Sequence, residues 1–290
     1  MATLDNSTLL ISGGSGSLGN ALIEEIKKAR PSYQFGFPKK VIIYSRNEYN
    51  QHLMMKKFEG VPWLRFRIGD VRDKDRLSWC CDKVDYVIHA AALKHIRMCE
   101  ENPLEAVQTN IIGSSNIVDA CMKNNVKRAV LVSTDKSPSP RNLYGATKFT
   151  AERLFAAANI YSKTCFRIIR YGNVVNSRGS VVEYFLKLKE QGIHEFPITD
   201  PNCTRFWMTL EQAAKAVLKH LTAEKAETLH IPRLPSMKIT DVARAIDPEC
   251  TFKFIGLQKS EKLHEELDDG YTSDTNTDWL TSEEFQKLLK

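Results

Sequence analysis

The sequence has no CxxC pair, no internal repeat and no block of lysine or arginine. It also has no apolar run approaching the ~20 residues of a membrane span. Each absence excludes something. The seven cysteines (Cys80, Cys81, Cys99, Cys121, Cys165, Cys203 and Cys250) are irregularly spaced. That argues against a disulfide framework or a structural zinc, and for reduced thiols in a cytoplasmic type of compartment. The first ten residues lack the basic flank and apolar core of a signal peptide, so neither a leader nor a membrane partner is expected. A net charge of +6, from 41 basic and 35 acidic side chains, is too mild and scattered to indicate nucleic acid. It suits an anionic small molecule, or simply a solvated surface. With 290 residues, 42% hydrophobic and 26% charged, the chain can bury a large core as one α/β domain, or as a big domain with a small one appended.

The densest chemistry lies between Val130 and Lys148. A hydrophobic run, Val130-Leu131-Val132-Ser133, delivers Thr134, Asp135 and Lys136 at its carboxyl end. Ser137-Pro138-Ser139-Pro140 stops it from continuing as a helix. Asn142 is placed to cap a new helix on which Tyr144 and Lys148, four residues apart, share one face. A hydroxyl, a carboxylate, a phenol and two ammonium groups gathered at a strand end are where an open α/β sheet puts its chemistry.

Upstream, Thr8–Ser12 reads as a strand running into Gly13-Gly14-Ser15-Gly16-Ser17-Leu18-Gly19, followed by Leu22, Ile26 and Ala29 at helical spacing. Strand, glycine turn and helix together form a dinucleotide-binding pattern: Gly13, Gly16 and Gly19 allow a tight turn, close approach to a pyrophosphate and close helix packing. A second strand, Lys40–Tyr44, ends in Ser45-Arg46 rather than in an acid. Arginine there suits the 2′-phosphate of NADP better than the free hydroxyl of NAD, although Arg46 could instead stack on adenine. Pro31 to Pro38 reads as a peripheral loop. Val61–Ile68 leads to Asp70-Val71, able to meet an adenine edge, and Val84–His89 leads to the small residues Ala90, Ala91 and Ala92, where a cofactor passes closely. Lys94 is a candidate contact for an anionic ligand. His95 has no carboxylate partner in the sequence and reads as structural. Pro103–Asn125 reads as one helix in which Asn110 could brace a neighbouring loop.

Beyond the strand Cys165–Arg170, Asn173 and Arg178 offer an amide and a guanidinium for a diphosphate. Arg205, within an aromatic run, is either a stacked structural arginine or a phosphate or base contact. Leu210–Leu221 reads as an amphipathic helix with Ala213, Ala214, Val217 and Leu221 inward, and Ser236–Val242 as the start of a small helix capped by Thr240. The fold expected is a Rossmann-type, mainly parallel sheet with helices on both faces. Residues 1–170 would bind NADP and carry the catalytic groups. Residues 171–290 would form mainly a small substrate lobe, with some segments returning to the first domain.

These residues resemble the extended short-chain dehydrogenase/reductase family through the glycine turn, Asp70-Val71, Asn110 and the Tyr144-x-x-x-Lys148 pair. More narrowly, the chain looks like the inverting UDP-N-acetylglucosamine 4,6-dehydratases. That likeness is carried in order by Ala92-Leu93-Lys94-His95, Ser133-Thr134-Asp135-Lys136, Asn142 to Lys148, Arg170 to Val174, Ser177 to Ser180, Thr204 to Trp207, Pro235 to Lys238 and Glu261 to Glu265. The resemblance implies that Tyr144 is the base at the C4 hydroxyl, that Lys148 holds the nicotinamide ribose and lowers the phenol pKa, and that Thr134 bonds near the C4 oxygen. It implies that Gly13, Ser15, Gly16, Ser17, Leu18, Gly19, Ser45, Arg46, Asp70, Val71, Ala90–Ala92 and Lys94 surround NADP. Lys94, Thr134, Asn173, Arg178, Arg205 and Glu261 would hold the UDP-sugar. Asn110 would support the catalytic lysine through water.

In that reading Asp135, protonated by burial, donates to the departing C6 hydroxyl. Lys136, its pKa depressed by burial and by cations such as Lys148, removes the C5 proton. Retaining dehydratases carry Asp-Glu at these two positions, so the lysine implies inversion at C5. The alternatives are a retaining UDP-sugar 4,6-dehydratase, a UDP-sugar 4-epimerase, which would need neither Asp135 nor Lys136, and an NADP-binding scaffold. Departures from the pattern are Ser137 for alanine, Ser260 for glycine and a shorter tail beyond Asp269. Family likeness also implies a homo-oligomer, either dimer or hexamer.

Overall fold

The computed structural model describes residues 3–28 and 35–289. Ala29 and half of the expected peripheral loop, residues 31–34, lie outside the described residues. Six strands build the first half: β1 (Thr8–Ser12), β2 (Lys40–Ser45), β3 (Leu64–Ile68), β4 (Tyr86–His89), β5 (Arg128–Thr134) and β6 (Cys165–Tyr171). They alternate with helices that include α1 (Ser17–Lys28), α2 (Glu48–Lys57), α3 (Lys74–Cys80), α4 (Ile96–Glu101), α5 (Pro103–Ala106), α6 (Gly113–Lys123) and α7 (Leu143–Ala158). The second half adds β7 (Asn173–Val174), α8 (Val181–Glu190), β8 (Glu195–Ile198), β9 (Thr204–Met208), α9 (Leu210–Thr222), β10 (Leu229–His230), β11 (Ser236–Lys238), α10 (Ile239–Ile246), β12 (Thr251–Phe254), β13 (Glu266–Asp268), β14 (Tyr271–Thr272) and α11 (Ser282–Leu289).

The central sheet has seven parallel strands in the order β10-β6-β5-β4-β1-β2-β3. Strand order reverses between β1 and β4, and a crevice opens beyond their carboxyl ends at such a switch point. All five residues of β1 are buried, as a parallel strand covered on both faces requires. One face is covered by α1 and α9 through Leu22, Ile23, Ile26, Ala213, Ala214 and Val217. The other is covered by α3, α6 and α7 through Leu77, Ile117, Val118, Ala151 and Phe155. Thus α9, started by a full capping box between Thr209 and Gln212, and β10 return from the second half to complete the main sheet layer. A separate core of Val182, Phe185, Phe196, Trp207, Met237, Val242 and Phe285 holds the smaller lobe.

Two local expectations need correction. Pro103–Asn125 is not one α-helix: Val107–Ile112 winds as a π-helix between α5 and α6, and Asn110 sits within it. Thr240 is not a cap: Ser236–Lys238 is a strand paired antiparallel to β9, so the helix begins at Ile239 and Thr240 is buried inside its first turn.

Beneath the crevice lies a buried ion pair. Glu152 of α7 accepts two hydrogen bonds from the Arg170 guanidinium (3.1 and 2.6 Å). It also accepts one from the hydroxyl of Ser133 and one from Ser137, at 2.7 Å. Ser137, where alanine was the family expectation, also lies 2.8 Å from the Thr134 carbonyl. The remaining Arg170 nitrogen donates to the Leu267 carbonyl (2.6 Å). Removing one partner strands the other's charge. Glu152→Ala should therefore cost about 3–5 kcal/mol of unfolding free energy, whereas Ser137→Ala should cost only about 1 kcal/mol. Urea denaturation measures both, and equal small losses would refute this ordering.

Candidate active site

A cavity of about 820 Å³ runs from the glycine turn to the smaller lobe. At its first end Gly13 adopts φ +68° and lies so close to Ala91 that a Cβ would sit 2.7 Å from that backbone. Gly13, Ser15, Gly16, Ser17 and Leu18 line this end, with Ser45, Arg46, Val71 and Ala90–Ala92 opposite. The Ser45 hydroxyl accepts from Ser15 (2.9 Å) and Gln51 (3.0 Å), which leaves its own proton to donate. Arg46 is half exposed and 3.6 Å from Asp70.

Two expected cofactor residues do not line the cavity. Gly19 is buried within α1 against Gly14. Asp70 gives both carboxylate oxygens to Arg72, accepting from its backbone (3.0 Å) and its guanidinium (2.9 and 2.7 Å). Burial opposes ionisation of Asp70, but those bonds and Arg46 hold its pKa below the usual carboxylate value. Only Val71 of the pair faces the cavity.

At the middle, β5 ends at Thr134 and the chain turns sharply under α7. Asn142 caps α7 by accepting from the Gly145 amide (2.8 Å), and a Cβ on Gly145 would collide with the Lys136 carbonyl. That contact presses the helix bearing Tyr144 and Lys148 onto the Thr134–Lys136 segment. Asn110 accepts from the Leu93 amide (2.8 Å) and donates to the Leu93 carbonyl and the Thr147 hydroxyl (2.9 Å each). The π-wound turn thus braces both the Lys94 loop and the residue before Lys148, a common use of such irregular helix.

The charges here interact strongly. Lys148 is 2% exposed, and burial pulls its pKa to about 8 against the attraction of Glu152. Burial pushes the Tyr144 phenol up to about 12, outweighing the opposing influence of Lys136 and a hydrogen bond with Thr134. Asp135 is 1% exposed and its pKa is raised, chiefly by burial, although the Lys136 charge opposes this. One of its oxygens accepts from Thr134 and Lys136 at 3.0 Å each; the other is buried without a partner. Lys136 differs from expectation. Burial does work against its ammonium, but the Asp135 and Glu265 carboxylates outweigh that and hold its pKa above the ordinary lysine value.

At the far end Lys94, Asn173, Arg178, Arg205 and Glu261 all line the cavity, in different positions. Arg178 leans back to the first end, its amide 3.4 Å from the Ser17 hydroxyl and its guanidinium 3.4 Å from Asn50. Arg205 donates to the carbonyls of Thr204 (2.7 Å), Leu263 (3.0 Å) and Lys262 (3.1 Å), so it pins the 262–263 backbone rather than stacking on a ring. Sequence reasoning missed the side chain of Glu265, which lies 3.3 Å from Lys136. Its only signal was membership of the Glu261–Glu265 cluster.

The arrangement therefore joins a phosphate-binding turn, a tyrosine–lysine pair, a buried carboxylic acid and a second lysine in one cavity. It can remove a proton from a hydroxyl, move one at carbon and protonate a leaving group. Comparison with known proteins agrees with that chemistry. A Campylobacter jejuni protein named UDP-N-acetylglucosamine 4,6-dehydratase (inverting) is 47% identical over 90% of this chain and 77% of its own length. A Rickettsia canadensis protein named UDP-glucose 4-epimerase is 36% identical over 90% of this chain and 77% of its own length. The X-ray structure of Pen from Bacillus thuringiensis superposes with a TM-score of 0.90 at 32% identity, covering 99% of this chain and 97% of that one. The family model described as polysaccharide biosynthesis protein matches residues 9–284. The chain belongs to that polysaccharide biosynthesis family of extended short-chain dehydrogenase/reductases, together with the inverting UDP-N-acetylglucosamine 4,6-dehydratases.

Proposed function

We propose that this chain converts UDP-N-acetylglucosamine to UDP-2-acetamido-2,6-dideoxy-β-L-arabino-hexos-4-ulose, using NADP. The observation that carries the reading is the Asp135–Lys136 pair in the same cavity as Tyr144 and Lys148. A 4-epimerase needs only the tyrosine and lysine. An acid with a buried, unpartnered oxygen beside an amine serves loss of the C6 hydroxyl and proton movement at C5.

NADP fits the first end of the cavity. The glycine turn would hold the pyrophosphate, Ser45 and Arg46 the 2′-phosphate, and Tyr144 and Lys148 the nicotinamide ribose. Bound there, it would supply the hydride acceptor for C4 and the hydride donor for C6, so no outside reductant would be consumed. Tyr144 takes the C4 hydroxyl proton, with Thr134 bonded to that oxygen and the Lys148 ammonium favouring the phenolate. The C4 ketone acidifies C5–H; Lys136 removes that proton, and neutral Asp135 protonates the departing C6 hydroxyl. Reprotonation of C5 from the opposite face inverts it. Lys94, Asn173, Arg178 and Glu261 hold the nucleotide-sugar, and Arg205 shapes that wall.

No helix among the described residues is long and apolar enough to cross a membrane, which accords with a cytoplasmic place of action. Met98, Leu104, Ile112 and Phe149 are exposed on the packed helical segments α4 to α7, which supports a homo-oligomer.

Three outcomes test this reading. Proton NMR of UDP-N-acetylglucosamine turnover in deuterated water should show an L-arabino 4-keto-6-deoxy product with deuterium at C5; a persistent D-xylo product would leave only a retaining dehydratase. Arg46→Ala should weaken NADP binding by about 10–100-fold, the loss of one charge-assisted contact, and leave NAD binding nearly unchanged by calorimetry; parallel losses would sink the NADP assignment. Lys148 is pulled from 10.5 to about 8 by burial, so its charge penalises the cofactor-free fold below about pH 8, and the penalty fades as pH rises towards 10.5. Lys148→Met should therefore abolish dehydration yet stabilise the cofactor-free protein at pH 7 by on the order of 2–3 kcal/mol. That gain should shrink with rising pH, and a thermal-shift gain that grew with pH would contradict it.

A further inference from the structure

We propose that Glu265 is the positioning residue for the C5 proton step: its carboxylate fixes Lys136 and takes a proton from it, leaving the free amine that attacks C5–H. The inference deepens the dehydratase reading and rests on it. A lysine is a base only once it has lost its proton, yet Lys136 stands as an ammonium between the neutral Asp135 carboxyl, 3.0 Å away, and the Glu265 carboxylate, 3.3 Å away. Asp135 is committed to another task as donor to the C6 oxygen, and it already accepts from Thr134 on the oxygen that faces Lys136. Glu265 is the carboxylate left to receive the lysine proton.

Its surroundings suit that task. One oxygen lies 3.3 Å from Lys136 Nζ and 3.7 Å from Arg205 Nε, while the other is buried and has no partner. An unpartnered buried carboxylate oxygen is costly, and it is the place where an added proton sits without displacing a bond. The backbone is clamped: the Glu265 amide donates to the Ser273 hydroxyl (2.9 Å), the Ser273 amide returns a bond to the Glu265 carbonyl (2.8 Å), and Ser273 is held by Thr204 (2.7 Å). Arg205 cannot follow the carboxylate, because three carbonyls hold its terminal nitrogens. The other charges around the group are Asp135 on the segment after β5 and Lys262 on Glu265's own segment, whose ammonium donates to the Pro138 carbonyl.

The step balances. An N–H bond of Lys136 breaks and an O–H bond of Glu265 forms. The amine lone pair then takes the C5 proton, and the C5–H electron pair passes towards the C4 carbonyl as the C6–O bond breaks and Asp135 protonates the leaving oxygen. Hydride return to C6 is matched by a solvent proton added to C5 on the face opposite Lys136. The Glu265 proton passes through the Lys136 ammonium to Asp135, 3.3 and 3.0 Å away, and Tyr144 gives the C4 hydroxyl proton to solvent, which restores the starting charges.

Glu265→Gln keeps size and most polar contacts but cannot accept the proton. With NADP-loaded enzyme and UDP-N-acetylglucosamine in deuterated water, the variant should keep KM within about threefold and keep the rapid 340 nm rise of C4 oxidation. Its kcat and its deuterium uptake at C5 should fall by about 100-fold, within the range for one acid–base group. Glu265→Asp, which retains the charge at a shorter reach, should take up deuterium at a rate between wild type and Glu265→Gln, or below wild type alone if the glutamine variant does not fold. Uptake in either variant at the wild-type rate overturns the proposal. So does loss of the 340 nm rise along with the uptake, which would make Glu265 a general support of the site. Wild-type enzyme run alongside keeps the two claims apart: if it neither dehydrates the sugar nor takes up deuterium, the dehydratase reading itself has failed.

Discussion

The site hangs from the buried pair of Glu152 and Arg170. Glu152 lies one turn beyond Lys148 on α7, as Lys148 lies one turn beyond Tyr144, so a single helix face carries base, cation and anchor. Through Glu152 that face grips Ser133 and Ser137, the two residues flanking Thr134, Asp135 and Lys136. Through Arg170 it reaches the Leu267 carbonyl, two residues after Glu265. Three segments far apart in sequence are thereby fixed around one carboxylate. Burying such a pair costs desolvation, which only a full set of hydrogen bonds offsets. Here both carboxylate oxygens are engaged.

The same carboxylate moderates the chemistry above it. Lys148 is drawn towards neutrality by burial, and Glu152 is the charge that opposes this. Stability and reactivity therefore meet at one residue. Higher in the cavity cations prevail: Lys94, Lys136, Lys148, Arg205 and Lys262 face Asp135, Glu261 and Glu265. Burial lowers the pKa of both Lys94 and Lys262. Filling such a site with a diphosphate supplies the missing negative charge, so ligand binding and electrostatic relief coincide.

Much of this was legible in the chain because it is local. The Gly13–Gly19 turn, the basic strand end at Ser45-Arg46 and the Thr134–Lys148 stretch each depend on spacing within one strand, turn or helix. Asn142 as a cap and Asn110 as a brace were readable for the same reason, since a polar side chain at a helix start or in an apolar helix has few other uses. The failures share the opposite cause. The expected loss of the Lys136 proton ignored Glu265, more than a hundred residues away. Thr240 looked like a cap until β11 claimed the preceding residues by pairing with β9.

By itself the sequence determined the strand–helix alternation, the dinucleotide turn and the identity of the reactive groups, because periodicity, glycine geometry and side-chain chemistry act over a few residues. Only the tertiary structure decided which groups are charged and which oxygens lack partners. It also decided that α9 and β10, from the second half of the chain, would complete the main sheet layer. Desolvation and Coulomb interaction depend on distance in space, and long-range pairing alone sets those distances.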